Sequence, residues 1–324
     1  MEFTRRNMIK LSLGAIAATT LRPLPELFAQ APLMTRAVPS SGERIPIVGI
    51  GTRDYEAETP EMGVELKEVL RQFSELGGKV VDTAMDYRKG ASETLVGELV
   101  SELGNRDQLF FSTKVRPGPP QAYLDRPESE YDKTGWKEQG IEQIERSFQR
   151  LRTDPIDLIL VHNVRDAVAQ LETLGEMKKA GRIRYVGVTT GREGQYEDLE
   201  GVMKTQPLDF VQVDYAVDSR KSGERILPLA ADRGIAVMIN KPFGYGRLFS
   251  TVRVQTLPDW VIQEADCKTW AQFFLKYILS NPAVTCAIPG TRRVTHLVDN
   301  LEAAKGRLPD TAMRRRMEQF MDNI

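Results

Sequence analysis

Cysteine and histidine are scarce in this chain of 324 residues, with two of each. Two cysteines exclude a disulfide framework and a cysteine-built zinc site. Two histidines, without an HxH or other paired-ligand motif, argue against the metal centres that many barrel hydrolases use. Surplus charge is lacking too: 44 Lys and Arg stand against 45 Asp and Glu. A nearly neutral chain has no global electrostatic footprint for nucleic acid. The one apolar run near the amino terminus, residues 11–21, is far too short to span a bilayer as a helix. What is present is 41% hydrophobic and 27% charged residues, the balance of a soluble globular protein with room for a large core.

Beyond residue 31 the chain alternates strand and helix. Residues 35–38 and the turn 40–42 predict a hairpin that plugs one end of the fold. Eight apolar runs rich in Val and Ile predict strands at 45–51, 79–81, 109–112, 156–161, 185–188, 210–213, 235–239 and 284–288. Helical spacing separates them at 62–76, 92–103, 135–151, 167–179, 195–204, 223–233 and 269–279, with a last helix at 294–304 and a tail helix at 310–321. Leu66, Val69, Leu70 and Phe73 show the i, i+3, i+4, i+7 pattern. Continuous apolar strands imply a parallel sheet covered on both faces. Eight units predict a closed (β/α)8 barrel, a single domain over residues 32–324, rather than an open doubly wound sheet. The long segment 241–267 has the length of a functional loop or lid. Cys286 and Cys267 read as structural, Cys286 as a small buried hydrophobe.

Active sites of such barrels sit at the carboxyl ends of the strands. Asp82 ends the second strand, with Tyr87 in its loop (VDTAMDY). Lys114 ends the third (FSTK) and His162 the fourth (LVHN). Singly, each has an ordinary reading as a cap, packing residue or solvated group. Together on three adjacent strands they make a proton-transfer set. Asp82 keeps Lys114 charged, a charged lysine lowers a tyrosine's pKa from about 10, and a neutral histidine offers one hydrogen bond to a substrate oxygen.

The sequence resembles the aldo-keto reductase family. The likeness is carried in order by GIGT (49–52), VDTAMDY (81–87), STK (112–114), LVHN (160–163), VGVTT (186–190), QVDY (212–215), NKPFGYG (240–246) and IPGTRRVTHLVDN (288–300). The resemblance implies reduction of a small carbonyl compound to an alcohol, with hydride from NADP(H), or from NAD(H) as the alternative. Tyr87 would protonate the carbonyl oxygen, tuned by Lys114 and Asp82, and His162 would orient that oxygen. Tyr215 would stack on the nicotinamide. Gln212, Asn163 and Thr189 would hold its carboxamide, beside Gly51 and Thr52. Lys241, Phe243, Gly244 and Gly246 would line the pyrophosphate. Gly290, Thr291, Arg292 and His296 would meet the ribose-phosphate end, with Asp299 and Asn300 at the adenine. The family usually has Ser-Asn at Thr189-Thr190, Ser at Lys241, often Leu at Phe243, and commonly Arg at His296. Substrate choice would rest on Arg53, Asp54, Tyr55, Arg88, Val115 and the loop 116–134. A cofactor-binding sensor or partner subunit on the same barrel is the competing reading. A metal-dependent barrel enzyme is a third, which the two histidines disfavour.

The first 31 residues read differently. Arg5 and Arg6 precede the apolar run and small residues, and the pair resembles a twin-arginine export signal. This implies the export machinery as a partner and a periplasmic location. A disordered basic leader on a cytoplasmic protein is the other reading. Ala29-Gln30-Ala31 fits a cleavage site, but Pro32 follows, so an uncleaved leader touching the membrane is also expected.

Overall fold

The computed structural model describes residues 31–119 and 132–324. The leader (1–30) and most of the 116–134 loop lie outside them. Two short strands come first, β1 (Thr35–Ala37) and β2 (Arg44–Pro46), paired antiparallel. Eight more follow: β3 (Ile50–Gly51), β4 (Val80–Asp82), β5 (Phe110–Val115), β6 (Ile156–His162), β7 (Ile183–Thr190), β8 (Phe210–Asp214), β9 (Ala236–Asn240) and β10 (Val284–Ala287). They form one parallel sheet in chain order. The sheet closes on itself. The N–H groups of Gly49 and Gly51 donate to the carbonyls of Ala287 and Pro289 at 2.9 and 3.0 Å, and the Ala287 N–H donates to Ile47 at 2.8 Å. This is the expected barrel.

Helices α1 (Pro60–Glu75), α2 (Ala91–Leu103), α3 (Trp136–Leu151), α4 (Ala167–Lys179), α5 (Tyr196–Thr205) and α6 (Lys221–Asp232) alternate with β3 to β9. Thr59 caps α1 through the Met62 N–H, Pro60 starts it, and Leu66, Val69, Leu70 and Phe73 are its buried face. The segment expected as a loop between β9 and its helix is partly helical, with α7 (Arg247–Thr251) and α8 (Asp259–Ala265) before α9 (Trp270–Leu279). Its aromatic rings fix it: Phe243 and Phe249 pack on Phe274 of α9 at centroid distances of 6.4 and 5.6 Å. Helices α10 (Val294–Glu302) and α11 (Thr311–Asp322) end the chain.

The single strand expected at 45–51 is divided. Residues 44–46 pair in the hairpin, and only Ile50 and Gly51 pair with β4. Pro46 has no N–H to continue a ladder, and the chain changes sheets beyond it. The hairpin does plug the barrel. Val38 and Ile45 are wholly buried in its inner cluster, and Arg36 donates to the carbonyls of Leu279, Asn281 and Val284 just below β10.

Side chains of each strand alternate between two apolar layers. Phe110, Leu158, Leu160, Tyr185, Phe210, Met238, Cys286 and Ile288 fill the barrel interior. Phe111, Ile159, Val161, Val188, Val211, Val213 and Ile239 face the helices. The inward set continues upward, two residues at a time, to Asp82, Lys114, His162, Thr189, Gln212 and Asn240. Apart from Ile288 after β10, the topmost interior layer is therefore polar, and that layer is the floor of the site.

Candidate active site

A cleft of about 1370 Å³ opens at the carboxyl end of the barrel. Its floor is organised by the buried Asp82 carboxylate. Lys114 Nζ donates to Asp82 Oδ2 at 2.8 Å and to the Thr83 carbonyl at 2.6 Å. Ser112 Oγ and Gln212 Nε2 both donate to Asp82 Oδ1 at 2.9 Å. Thr189 Oγ1 donates to Gln212 Oε1 at 2.9 Å. Burial alone would pull the Lys114 pKa down, but Asp82 and Tyr87 outweigh it and hold the ammonium above its ordinary value.

Tyr87 lies over this pair, with Lys114 Nζ 5.1 Å from its ring centroid. Its phenol does not behave as the sequence led one to expect. Burial raises its pKa to about 12; Lys114 pulls it down, while Asp82 and Asp86 add to the rise. Lys114 thus limits the increase without reversing it. His162 lies alongside, its pKa pushed down to about 3, first by burial and further by Lys114, Arg116 and Arg192, against an upward pull from Asp86. It is a neutral imidazole over the physiological range.

The backbone leaves the strands sharply around the cleft. Asn163 and Val164, directly after His162, have φ of 59° and 55°, Lys241 has 50°, and Arg88 and Lys89, directly after Tyr87, have 50° and 56°. Non-glycine residues rarely occupy this region, and β-branched Val164 least readily. Side-chain bonds hold the turns. Gln195 Nε2 donates to the Asn163 carbonyl at 3.0 Å, and Lys241 Nζ to the Gly191 carbonyl at 2.6 Å. Arg150 of α3 donates to the Met85 carbonyl and to the fully buried Glu93, at 3.1 and 3.2 Å.

Of the residues expected from sequence, Asp82, Tyr87, Lys114, His162, Gly51, Asn163, Thr189, Gln212, Lys241, Phe243, Gly246, Gly290, Thr291, Arg292 and His296 line this one cleft. Tyr215 does not. It shares the outward parity of Val211 and Val213, so its ring stacks on Tyr277 at 5.6 Å and its hydroxyl donates to Tyr277 at 3.1 Å. The expectation that it stacks on a cofactor ring is corrected. Asn240, on the inward parity, reaches the cleft instead. Asp299 is taken up by Thr269 and Gln272 of the α9 start, and Asn300 is on the buried face of α10; neither lines the cleft, nor does Gly244. Thr52 supports from below, donating to the Asp82 carbonyl at 3.1 Å. Sequence reasoning gave no role to Asp86, Asn240 and Arg192, which line the cleft as well, as does Tyr245 within the expected 241–246 segment. Asp86 sits inside the quoted VDTAMDY motif, and Asn240 was recoverable from strand parity. Among the described residues no His, Cys, Asp and Glu cluster could hold a metal ion, and no helix is long and apolar enough to cross a membrane.

A closed parallel barrel with a phenol and a neutral imidazole over a buried carboxylate–ammonium pair defines a barrel enzyme built for proton transfer to a bound oxygen. The model of the Aldo/keto reductase family matches residues 48–319. The chain belongs to that family, and so to the oxidoreductases that act on carbonyl groups. It is 33% identical over 175 residues to aldo-keto reductase YhdN of Bacillus subtilis, a match covering 53% of this chain and 50% of that protein. The chain thus spans half the length of that relative. The holo form of an aldo-keto reductase from Bacillus halodurans shares the fold at a TM-score of 0.69 and 22% identity, covering 89% of this chain and 96% of that one. A Klebsiella pneumoniae aldo/keto reductase solved with NADP and acetate does so at 0.67 and 23%, covering 86% and 93%.

The neutral state of His162 has a measurable consequence. The unfolded histidine binds a proton below about pH 6.5, while the folded one does not until about pH 3. The unfolded state therefore gains stability as pH falls through 6.5. Unfolding free energy should drop between pH 6.5 and 5 with a contribution approaching about 1.4 kcal/mol per pH unit. Urea denaturation across that range should show this slope, and His162→Gln should lose it. Parallel pH profiles for the two proteins would mean that His162 titrates normally when folded.

Proposed function

We propose that the protein reduces an aldehyde or ketone to the alcohol with NADP(H). The observation that carries this reading is the buried Asp82–Lys114 pair set beneath Tyr87, with His162 opening into the same cleft. The residues present suit the cofactor. Asn240 Oδ1 is buried and has no hydrogen-bond partner among the described residues, so an acceptor waits in the wall beside Gln212. It suits the amide N–H of a nicotinamide. Lys241, Arg192, Arg292 and Arg293 put positive charge along the rest of the cleft, as a pyrophosphate and a 2′-phosphate require. The bound cofactor supplies the hydride to the carbonyl carbon. Tyr87 gives the proton to the oxygen, Lys114 steadies the phenolate left behind, and Asp82 fixes Lys114. His162 stands beside the substrate oxygen in the same cleft. A cofactor-binding subunit without turnover has no use for the acid.

Tyr87→Phe keeps the ring and removes the donor. Reduction of a benzaldehyde probe should fall ~10²–10⁴-fold with cofactor affinity unchanged. Near-normal turnover in that variant would remove Tyr87 from the chemistry.

Preference for the phosphorylated cofactor rests on Arg292. Both it and Arg293 line the cleft, and neither forms an ion pair among the described residues. Adjacent residues point apart, so one makes the close contact, and Arg292 directly follows Gly290-Thr291. Arg292→Ala should weaken NADP(H) binding by about 1.5–3 kcal/mol and leave NAD(H) unaffected. Equal losses for both cofactors, or none, would show that Arg292 reads no phosphate.

Export through the twin-arginine machinery to the periplasm belongs to the same proposal, supported by Arg5 and Arg6 ahead of the apolar run. An uncleaved leader would then be its membrane contact. Arg5→Lys with Arg6→Lys should retain the protein in the cytoplasm on fractionation; an unchanged distribution counts against export.

A further inference from the structure

Two buried polar atoms in the cleft wall face each other without a partner. Asp86 Oδ1 and His162 Nδ1 are both shut from solvent and make no hydrogen bond among the described residues. They lie 3.8 Å apart. The carboxylate is held in place from its far side, where Arg116 donates to Asp86 Oδ2 at 3.1 Å. Arg116 is itself fixed: its N–H donates to Gln143 Oε1 and its carbonyl accepts from Gln143 Nε2, both at 2.9 Å, and its guanidinium reaches the Pro119 carbonyl at 2.9 Å. Asp86, Lys114, Arg116 and Arg192 are the charged groups that act on the imidazole. Asp86 alone among them can take a proton from it.

A neutral imidazole carries one N–H, and the hydrogen bond available to each nitrogen decides which one has it. An ionised carboxylate only accepts. A lone pair at Nδ1 would confront that carboxylate, whereas an N–H there satisfies both buried atoms after a small closure. With Nδ1 turned into the wall, Nε2 is the nitrogen left for the cleft that His162 lines.

We propose that Asp86 is a positioning residue that takes the Nδ1–H of His162, so that His162 presents an Nε2 lone pair to the substrate and accepts a hydrogen bond there. The consequence rests on the reductase reading above. The carbonyl oxygen has no hydrogen to give, so its proton and its hydrogen bond come from Tyr87. Once the carbon has taken hydride and the oxygen the Tyr87 proton, the new hydroxyl has a hydrogen, and His162 Nε2 is its acceptor. The pair Asp86–His162 then holds the alcohol in preference to the carbonyl, and draws the new O–H away from the Tyr87 phenolate.

With only two histidines in the chain, the tautomer can be read directly. A long-range proton–nitrogen correlation spectrum of nitrogen-labelled protein at neutral pH, assigned with His296→Gln, identifies which ring nitrogen of His162 bears the proton. The expected result is Nδ1–H, with and without NADP+. A dominant Nε2–H tautomer overturns the proposal. In Asp86→Ala the Nδ1–H population should shrink, and the NADP+-loaded enzyme should lose about five- to ten-fold in affinity for benzyl alcohol, with benzaldehyde binding to the NADPH form little changed. An unaltered tautomer, or equal losses for both probes, also overturns it. If Asp86→Ala does not fold, the spectrum of the unmodified protein decides. That spectrum needs no turnover. Failure of the reductase reading would appear separately, as absence of carbonyl-dependent NADPH oxidation.

Discussion

The Asp82 carboxylate is the point on which the cleft floor depends. It is almost fully buried and accepts hydrogen bonds from Lys114, Ser112 and Gln212. These donors come from β5 and β8, so one carboxylate ties β4 to its neighbour and to a strand across the barrel. A charge buried this deeply is tolerable only when paired and fully hydrogen-bonded. Replacing Lys114 leaves a buried charge without compensation, and replacing Ser112 or Gln212 takes a hydrogen bond from it, which couples the integrity of the barrel top to the readiness of the site. Gln212 extends the network to Thr189. The side chains that would meet a nicotinamide amide are therefore oriented by the group that fixes the Lys114 ammonium.

A second network sets the height of Tyr87 over that floor. The loop after Tyr87 runs through left-handed Arg88 and Lys89 into Gly90, whose φ is 94°. A side chain at Gly90 would strike the Arg150 guanidinium, since a Cβ there would lie 2.3 Å from it. Arg150 reaches across this glycine to the Met85 carbonyl and to Glu93. The other Glu93 oxygen accepts from Thr113, the neighbour of Lys114, at 2.6 Å. One buried glutamate thus joins the Tyr87 loop to the Lys114 strand from outside the cleft. Close packing of α2 on α3 makes this contact reachable: a Cβ at Gly97 would lie 2.0 Å from the Arg150 carbonyl. A bulkier residue there would push the helices apart.

Most of this was legible in the chain. Helix and strand positions followed from periodicity to within a few residues, because each element buries one consistent face. The grouping of Asp82, Tyr87, Lys114 and His162 in one cleft followed from their place at strand ends. Strand parity carried more than was taken from it. Counting back by twos from Lys114, His162 and Gln212 gives Ser112, Leu160 and Phe210, all interior. The same count excludes Tyr215 and admits Asn240. The division of 45–51 between two sheets was not legible, because both halves are equally apolar and only pairing partners distant in sequence separate them. Nor was the helical content of 241–267, where Phe243 and Phe249 are ordered by α9 and not by local pattern. The clamp by Arg150 was hidden for the same reason, as its partners lie 57 and 65 residues away.

The raised pKa of Tyr87 changes what Lys114 is for. From sequence, the lysine is expected to make the phenol more acidic at rest. In the structure burial dominates, and the phenol ends near 12. A phenol of that strength stays fully protonated at neutral pH, which is the state a proton donor needs. On the proposed reading its acceptor is an oxygen turning into an alkoxide as hydride arrives, a far stronger base than phenolate, so a weak acid suffices. What the site must prevent is an isolated phenolate in a buried place after the transfer. Lys114 meets that need because Asp82 keeps it charged there, and its ammonium lies beneath the ring before any charge has formed. The electrostatic arrangement is thus complementary to the state after proton transfer and nearly indifferent to the state before it, the condition under which a fixed charge speeds a reaction.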